Sequence, residues 1–413
     1  MRTPESRGLA LVMVGLPARG KTYIARKIAR YLSWLGHRTR VFNVGAYRRE
    51  RLGSHLSHEF FDPDNQAGEE ARRQMALAAL DDMLAWLRAV GEVAIYDATN
   101  TTHERRAMVR ARCEREGISV LFVESVCDDD AIIASTIRET KLKSPDYTGI
   151  DPELAVKDFL ARIAHYERVY ETVDQHDGSF IKLVDVGREV VLHHIRGYIP
   201  GRLVALLMNL HIAPRPIWLT RHGESTYNQE SQVSGDPDLS PRGEKYALAL
   251  EKFFRAHVDP ADQAQVWTST LKRAVQTARH LPVDAFAWRA LDEIDAGIFD
   301  GMTYEQIREA RPEEYAARQA DKFRYRYPRG ESYEDVIQRL EPVIVELERQ
   351  RAPVMVVAHR AVIRALYAYF MDRSPAECTR MEVPLHTVIE LTPNAYGCDE
   401  RRFSLEVTES VTP

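Results

Sequence analysis

The residues Gly15-Leu16-Pro17-Ala18-Arg19-Gly20-Lys21-Thr22 keep the spacing G-x-x-x-x-G-K-[ST]. With a buried strand before it and an amphipathic helix after it, such a loop turns its backbone N–H groups toward phosphate oxygens. Lys21 then reaches the β- and γ-phosphates of a nucleoside triphosphate, and Thr22 offers its hydroxyl to Mg²⁺ at the positive end of the helix. A chance glycine turn explains the loop poorly, because both flanks have the required pattern. Further on, Val93-Ala94-Ile95-Tyr96-Asp97 is a strand ending in a carboxylate, placed where the metal or an attacking hydroxyl needs one. Helix capping accounts for one or two residues of the following turn, Ala98-Thr99-Asn100-Thr101-Thr102, but not for all of them. The phosphoryl donor is thus fixed and the acceptor open. Arg48, Arg49, Arg72, Arg105 and Arg162 are the cations available to hold an anionic acceptor, although by composition each also reads as a solvated surface arginine.

A second chemistry begins at Thr220-Arg221-His222-Gly223-Glu224-Ser225. A lone histidine is usually structural, but an arginine before it and a glycine after it let a phosphoryl group come close. Downstream stand Lys272-Arg273 at a helix start, Glu293, and His359 directly after the apolar run Val354–Ala358. Two imidazoles at strand ends suit one sheet edge, where open α/β sheets bind ligands. A neutral imidazole that attacks phosphorus becomes an N-phosphohistidine. Arginines and the second histidine offset the charge, and a carboxylic acid protonates the leaving oxygen and later activates water. This chemistry calls for no metal, and the sequence shows no metal-ligand spacing.

The elements that must position these groups alternate along the chain. Leu9–Val14, Thr39–Val44, Glu92–Ala98, Ser119–Val126 and Phe180–Val186 read as near-continuously apolar strands, which fits a parallel sheet covered on both faces. Thr22–Leu35, Glu69–Val90 and Pro152–Val173 carry helical spacing between them. Pro214 and Pro216 stop the helix expected over Gly201–His211, and the pattern restarts with strands Ile217–Thr220, Gln265–Thr268, Val354–Ala358 and Thr387–Leu391. The chain of 413 residues therefore predicts two tandem three-layer α/β domains, residues 1–212 and 213–413. Apolar content of 45% and charged content of 28% are those of a globular protein. A net charge of −5 excludes the basic field of a nucleic-acid binder, so anionic substrates must meet local arginine clusters. The four cysteines form no CxxC pair, which predicts reduced thiols in a cytoplasmic protein. No run resembles a signal segment or a span of about 20 apolar residues, so no membrane partner is expected.

Beyond single motifs, an ordered series of segments has a specific likeness. GLPARGKTY, FNVGAYRR, EFFDPDN, YDATNTTHERRAM, SPDY, RHGES, LSPRGE, WTSTLKR, LDEIDAG, YRYPRGESYEDVIQRLEPVI and PLHTVIELTPNAYG follow one another through the chain. Over almost its whole length the sequence resembles the bifunctional 6-phosphofructo-2-kinase/fructose-2,6-bisphosphatase family. The resemblance implies a P-loop kinase domain followed by a histidine phosphatase domain like that of phosphoglycerate mutases. It implies ATP with Mg²⁺ for the kinase, no cofactor for the phosphatase, and a homodimer. The small-molecule partners would be ATP, fructose 6-phosphate and fructose 2,6-bisphosphate. Gly15 through Thr22 together with Tyr23 would bind ATP, and Asp97 and Lys141 match catalytic positions. Arg48, Arg72, Thr99, Arg105, Arg162 and Tyr166 match contacts to fructose 6-phosphate. In the second domain His222 would be the nucleophile and Glu293 the proton donor, with Arg221, Asn228, Arg273 and His359 around the 2-phosphate. Tyr304, Arg318, Lys322, Tyr333, Arg360 and Arg364 would hold the rest of fructose 2,6-bisphosphate.

Some positions depart from the family pattern. Arg360 stands where a glutamine is typical, and Thr136 and Lys143 alter the segment before Ser144-Pro145-Asp146. The flanks are short, so the regulatory tails of some relatives, and phosphorylation control through them, are not expected. Arg360 either adds charge to the phosphoryl pocket, tightening phosphate and slowing the phosphatase, or turns outward to a surface carboxylate. Two rival readings remain. One is a silent sugar-phosphate or nucleotide-binding regulator, disfavoured by the full set of catalytic groups. The other is a kinase–phosphatase of nucleic-acid ends, disfavoured by the missing basic field.

Overall fold

The computed structural model describes residues 8–138, 145–185, 187–211, 214–394 and 397–405. Lys141, Lys143 and Ser144 fall outside them. The chain divides into two compact units, Met1–His211 and Ile212–Pro413.

In the first unit β1 (Leu9–Val14), β2 (Thr39–Asn43), β3 (Val93–Asp97), β4 (Ser119–Val126), β5 (Phe180–Val184) and β6 (Glu189–His193) form one sheet in the order β2-β3-β1-β4-β5-β6. All neighbours are parallel except β5 and β6. The run LALVMV explains why β1 lies centrally. Ala10, Val12 and Val14 pack with Leu80, Met83, Leu84 and Val109, while Leu11 and Met13, on the opposite face, are fully buried too. Helices must therefore cover both faces. The register sets Asn43 beside Asp97, so the carboxyl ends of β1, β2 and β3 meet at one edge.

In the second unit β7 (Ile217–Arg221), β8 (Gln265–Thr268), β9 (Ala285–Ala287), β10 (Val354–Ala358), β11 (Thr387–Pro393) and β12 (Cys398–Ser404) form a sheet in the order β12-β11-β7-β10-β8-β9. Here β7, β10, β8 and β9 are parallel, and β11 is antiparallel to both of its neighbours. Ala358 is level with Arg221, which puts His222 and His359 at the same sheet edge.

Several boundaries differ from the sequence expectation. The helix expected over Pro152–Val173 ends at Glu167. Beyond it the backbone is drawn away: Glu171 N–H donates to Thr101 O at 2.8 Å, and Val173 N–H donates to the buried Glu124 carboxylate at 3.1 Å. The helix expected over Gly201–His211 runs over Tyr198–Leu207. β6 and β9 are too short and too exposed for their apolar residues to mark a covered strand, and β12 is largely polar. None of the four cysteines forms a disulfide among the described residues, and three of them are buried. No helix among the described residues is long and apolar enough to cross a membrane.

Arg106 joins the loop after β3 to the segment that follows the shortened helix. Fully buried, it donates to Asp177 at 2.8 and 3.0 Å, to Asn100 O at 3.2 Å, to Glu171 O at 2.8 Å and to Thr172 O at 3.2 Å. Removing the guanidinium strands a buried carboxylate and several carbonyls. Arg106→Leu should therefore destabilise the first unit by about 3–5 kcal/mol. Urea unfolding measures this directly, and a loss below about 1 kcal/mol would mean that the network is replaceable.

Candidate functional site

In the first unit the loop after β1 is shaped by backbone. Gly15 has φ +134°, and a Cβ there would lie 2.4 Å from Ser125 O, so no other residue fits. Gly20 caps helix Lys21–Trp34 in the left-handed conformation. Lys21 is buried and donates to Leu16 O at 2.6 Å, across the mouth of the loop, while Thr22 and Tyr23 are partly exposed. Asp97 is buried at the end of β3 and accepts from Asn43 Nδ2 at 2.5 Å. Thr99 O accepts from Gly15 N–H at 3.0 Å, and Asn100 Nδ2 donates to Met13 O at 2.7 Å. The hydroxyl-rich turn is thus stitched to the phosphate loop. The Thr22 hydroxyl and the Asp97 carboxylate are hard-oxygen donors, the chemistry that Mg²⁺ takes.

The candidate acceptor arginines separate into two groups. Arg48, Arg72, Arg162 and Tyr166 converge on the short turn His58–Phe61. Arg162 lies 3.6 Å and Arg48 5.3 Å from the Phe61 ring centroid, Arg72 donates to Phe60 O, and the Tyr166 ring sits 6.1 Å from that of Phe61. Arg48 Nε and Nη1 and Arg162 Nε are buried donors without an acceptor. Arg105 lies apart from this turn, with Nη2 3.5 Å from Tyr96 Oη. The sequence did not single out Phe61 or Asn43, whose contacts link segments far apart in the chain.

In the second unit the two imidazoles have ring centroids 5.1 Å apart. His222 Nδ1 lies 2.6 Å from Gly223 O, which fixes its proton there, and Nε2 accepts from Arg273 Nε at 3.2 Å. Burial, then Arg273 and Arg221, push His222 well below the ordinary histidine pKa. The result is a neutral ring with its Nε2 lone pair toward the pocket. His359, depressed by burial and the same cations, has Nε2 2.6 Å from Ser269 Oγ and a buried Nδ1 with no partner. Gly223 is required by packing, since a Cβ would lie 2.6 Å from Gly243 O.

Cations crowd this pocket. Arg273 Nη1 donates to Gly235 O at 2.6 Å, and Arg221 Nη1 to Val383 O at 3.2 Å. Burial and then Arg360 lower the Arg221 pKa to about 10. Burial followed by Arg318, Arg364 and Arg360 brings Lys322 down to about 8. Arg360 is exposed and has no ion pair among the described residues, and its charge lowers the pKa values of Arg221 and Lys322. Arg364 donates to Met381 O at 2.7 Å and to Tyr333 Oη at 3.3 Å. Arg318 bridges Tyr304 and Tyr327, donating to each hydroxyl at 2.7 Å. Glu293 accepts Arg360 N–H at 3.1 Å and Ala361 N–H at 3.2 Å, at the start of helix Arg360–Phe370. The Asn228 carboxamide oxygen accepts from Ser225 N–H and Oγ, both at 3.0 Å, which commits it to capping helix Thr226–Gln229. Ser269, Tyr327 and His386, which accepts Glu224 N–H at 3.2 Å, were not anticipated. All three lie in segments that carry the family likeness, WTSTLKR, YRYPRGESYEDVIQRLEPVI and PLHTVIELTPNAYG, but were not singled out there.

Comparison with known proteins agrees with this division. Residues 1–214 match the 6-phosphofructo-2-kinase family and residues 217–405 the histidine phosphatase superfamily, branch 1. A 6-phosphofructo-2-kinase/fructose-2,6-bisphosphatase of Gallus gallus is 51% identical over 401 residues, covering 96% of this chain and 85% of that protein. The form numbered 4 from Rattus norvegicus is 50% identical over 405 residues, with 96% and 85% covered. The Arabidopsis thaliana protein of the same name is 50% identical over 97% of this chain, which spans 54% of that longer protein. With both halves matched in order and half of the residues identical over nearly its whole length, the chain belongs to the 6-phosphofructo-2-kinase/fructose-2,6-bisphosphatase family.

Proposed function

We propose that the chain makes fructose 2,6-bisphosphate from ATP and fructose 6-phosphate, and hydrolyses it back through a phosphohistidine. The observation that most supports this reading is the pairing of a complete phosphate loop in one unit with a neutral, arginine-flanked His222 in the other.

In the kinase direction, the loop Gly15–Thr22 cradles the ATP phosphates, Tyr23 extends the nucleotide contacts, and Lys21 leaves Leu16 O for the γ-phosphate. Thr22 and Asp97 would hold Mg²⁺, which supplies charge neutralisation on the phosphates when bound. The acceptor's phosphate binds the buried unpaired donors of Arg48 and Arg162 beside Arg72 and Tyr166, with Thr99 and Arg105 toward the sugar. Family likeness adds Lys141 to catalysis. The O2 hydroxyl attacks the γ-phosphorus, its proton leaves toward the nearby carboxylate, and ADP departs.

In the phosphatase direction, His222 Nε2 attacks the 2-phosphoryl group while Arg221, Arg273 and His359 hold the equatorial oxygens. Asn228 closes the turn beside them. The sugar O2 departs with a proton delivered by Glu293, which afterwards takes one from the water that hydrolyses the phosphohistidine. Tyr304, Arg318, Lys322, Tyr333, Arg360 and Arg364 hold the remainder of the substrate. The family reading also gives a homodimer, and the cysteine pattern, with no CxxC pair, supports a reducing, cytoplasmic compartment.

Lys21→Ala should lower ATP-dependent synthesis about a hundred-fold or more while hydrolysis stays within a few-fold, measured in one preparation. Equal loss of both activities in a folded protein would refute separable sites. Brief incubation with substrate labelled at the 2-phosphate should give an acid-labile, base-stable phosphoprotein that His222→Ala no longer forms. Full labelling of that variant would move the nucleophile elsewhere. Finally, Arg360→Gln should weaken inhibition of the phosphatase by inorganic phosphate roughly ten-fold, if about 1.4 kcal/mol of product binding is lost. An unchanged inhibition constant would show that the guanidinium plays no part in phosphate binding.

A further inference from the structure

The arginine cradle of the first unit already contains an anion. Asp146 Oδ1 accepts from Arg48 Nη2 at 2.5 Å, and Oδ2 lies 3.6 Å from Arg49 Nη1 and 3.8 Å from Arg162 Nη1. One carboxylate faces three guanidinium groups, so the cluster stays net positive. Both Asp146 and Arg48 are buried, at 9% and 5% exposure. The Phe61 ring packs against both Arg48 and Arg162, with its centroid 5.3 and 3.6 Å from their guanidinium carbons. Arg48 still keeps two buried donors without an acceptor, and Arg162 keeps one. Such donors call for a further oxyanion.

Burial works to raise the Asp146 pKa. The Arg48 hydrogen bond, with the charges of Arg48, Arg162 and Arg49, outweighs it and holds the carboxyl below the usual range. The group is therefore a fixed negative charge at any working pH. Without it three like charges would repel one another in a poorly hydrated space. With it, a phosphate dianion entering the same cluster meets a like charge only a guanidinium away.

We propose that Asp146 is the internal counter-ion of the empty cradle and competes with the acceptor's phosphate for Arg48, Arg49 and Arg162. This rests on the reading of the cradle as the sugar-phosphate site. Asp146 gathers the arginines before substrate arrives and limits how tightly substrate is then held, so that binding is exchange of one anion for another. Exchange of this kind keeps the arginine geometry intact through the catalytic cycle.

Asp146→Asn in the full chain removes the charge and keeps the size and one acceptor oxygen. Calorimetric titration with fructose 6-phosphate, and separately with inorganic phosphate, should give dissociation constants roughly ten-fold lower in the variant at low salt, the gap narrowing as salt rises. The phosphatase site is common to both proteins, so their difference reports the cradle alone. Equal or weaker binding in the variant overturns competition and makes Asp146 a positioning residue. A wild-type chain that neither binds nor phosphorylates fructose 6-phosphate would instead defeat the kinase reading, and the phosphate titration would still decide the competition. If the variant folds but is too unstable to titrate, the thermal midpoint measured with and without phosphate replaces the titration. A larger rise than in wild type supports the proposal, and an equal or smaller one overturns it.

Discussion

Both units depend on positive charge that is held firmly in place and yet left unneutralised. A guanidinium buried against another side chain's carboxylate is spent, because its field is cancelled where it stands. A guanidinium tied to backbone carbonyls is oriented just as well and keeps its charge. Arg221, Arg273, Arg364 and Arg72 are all of the second kind, donating to Val383 O, Gly235 O, Met381 O and Phe60 O. Arg106 and Arg339 are of the first kind, chelating Asp177 and Glu331. The distinction separates arginines that build the fold from those that wait for phosphate. It also singles out Arg48, which sits in a site and yet has a carboxylate partner.

The same charge keeps the nucleophile usable. An exposed histidine near neutrality is partly protonated and then has no lone pair to offer. Burial beside Arg273 and Arg221 makes the imidazolium of His222 costly, so the neutral form persists, and Gly223 O sets which nitrogen is free. Packing supports this arrangement from behind. Gly223 N–H donates to Thr277 Oγ1 at 2.9 Å, and the Glu224 N–H is received by His386, whose ring stacks on Tyr246. Burial and nearby Arg242 bring the His386 pKa down to about 4, so it stays an acceptor.

How much of this was legible in the sequence follows from the range of each interaction. The phosphate loop and the Arg-His-Gly turn are local, and their geometry is written in adjacent residues such as Gly15, Gly20 and Gly223. Apolar runs revealed the covered strands, and strand ends carried Asp97, His222 and His359 to the two sheet edges. What stayed hidden depends on contacts distant in sequence. The helix from Pro152 stops at Glu167 because Glu124, far upstream, binds the backbone beyond it. Phe61, Tyr327 and His386 lie in segments that the family likeness marked, but their roles depend on what they touch across the fold. Edge strands such as β6 and β9 lack the buried face that makes a strand readable.

Position 360 shows how one residue can act on a site in two independent ways. Its backbone N–H, with that of Ala361, holds the Glu293 carboxylate at the start of a helix, where the helix dipole also favours negative charge. Two backbone donors thus hold the Glu293 carboxylate in place. The Arg360 side chain works on the pocket instead, adding a cation that depresses Arg221 and Lys322. Those cations give the pocket a positive field suited to an oxyanion. Because the backbone contact survives substitution while the guanidinium does not, a change at position 360 separates the hold on Glu293 from the charge on the pocket.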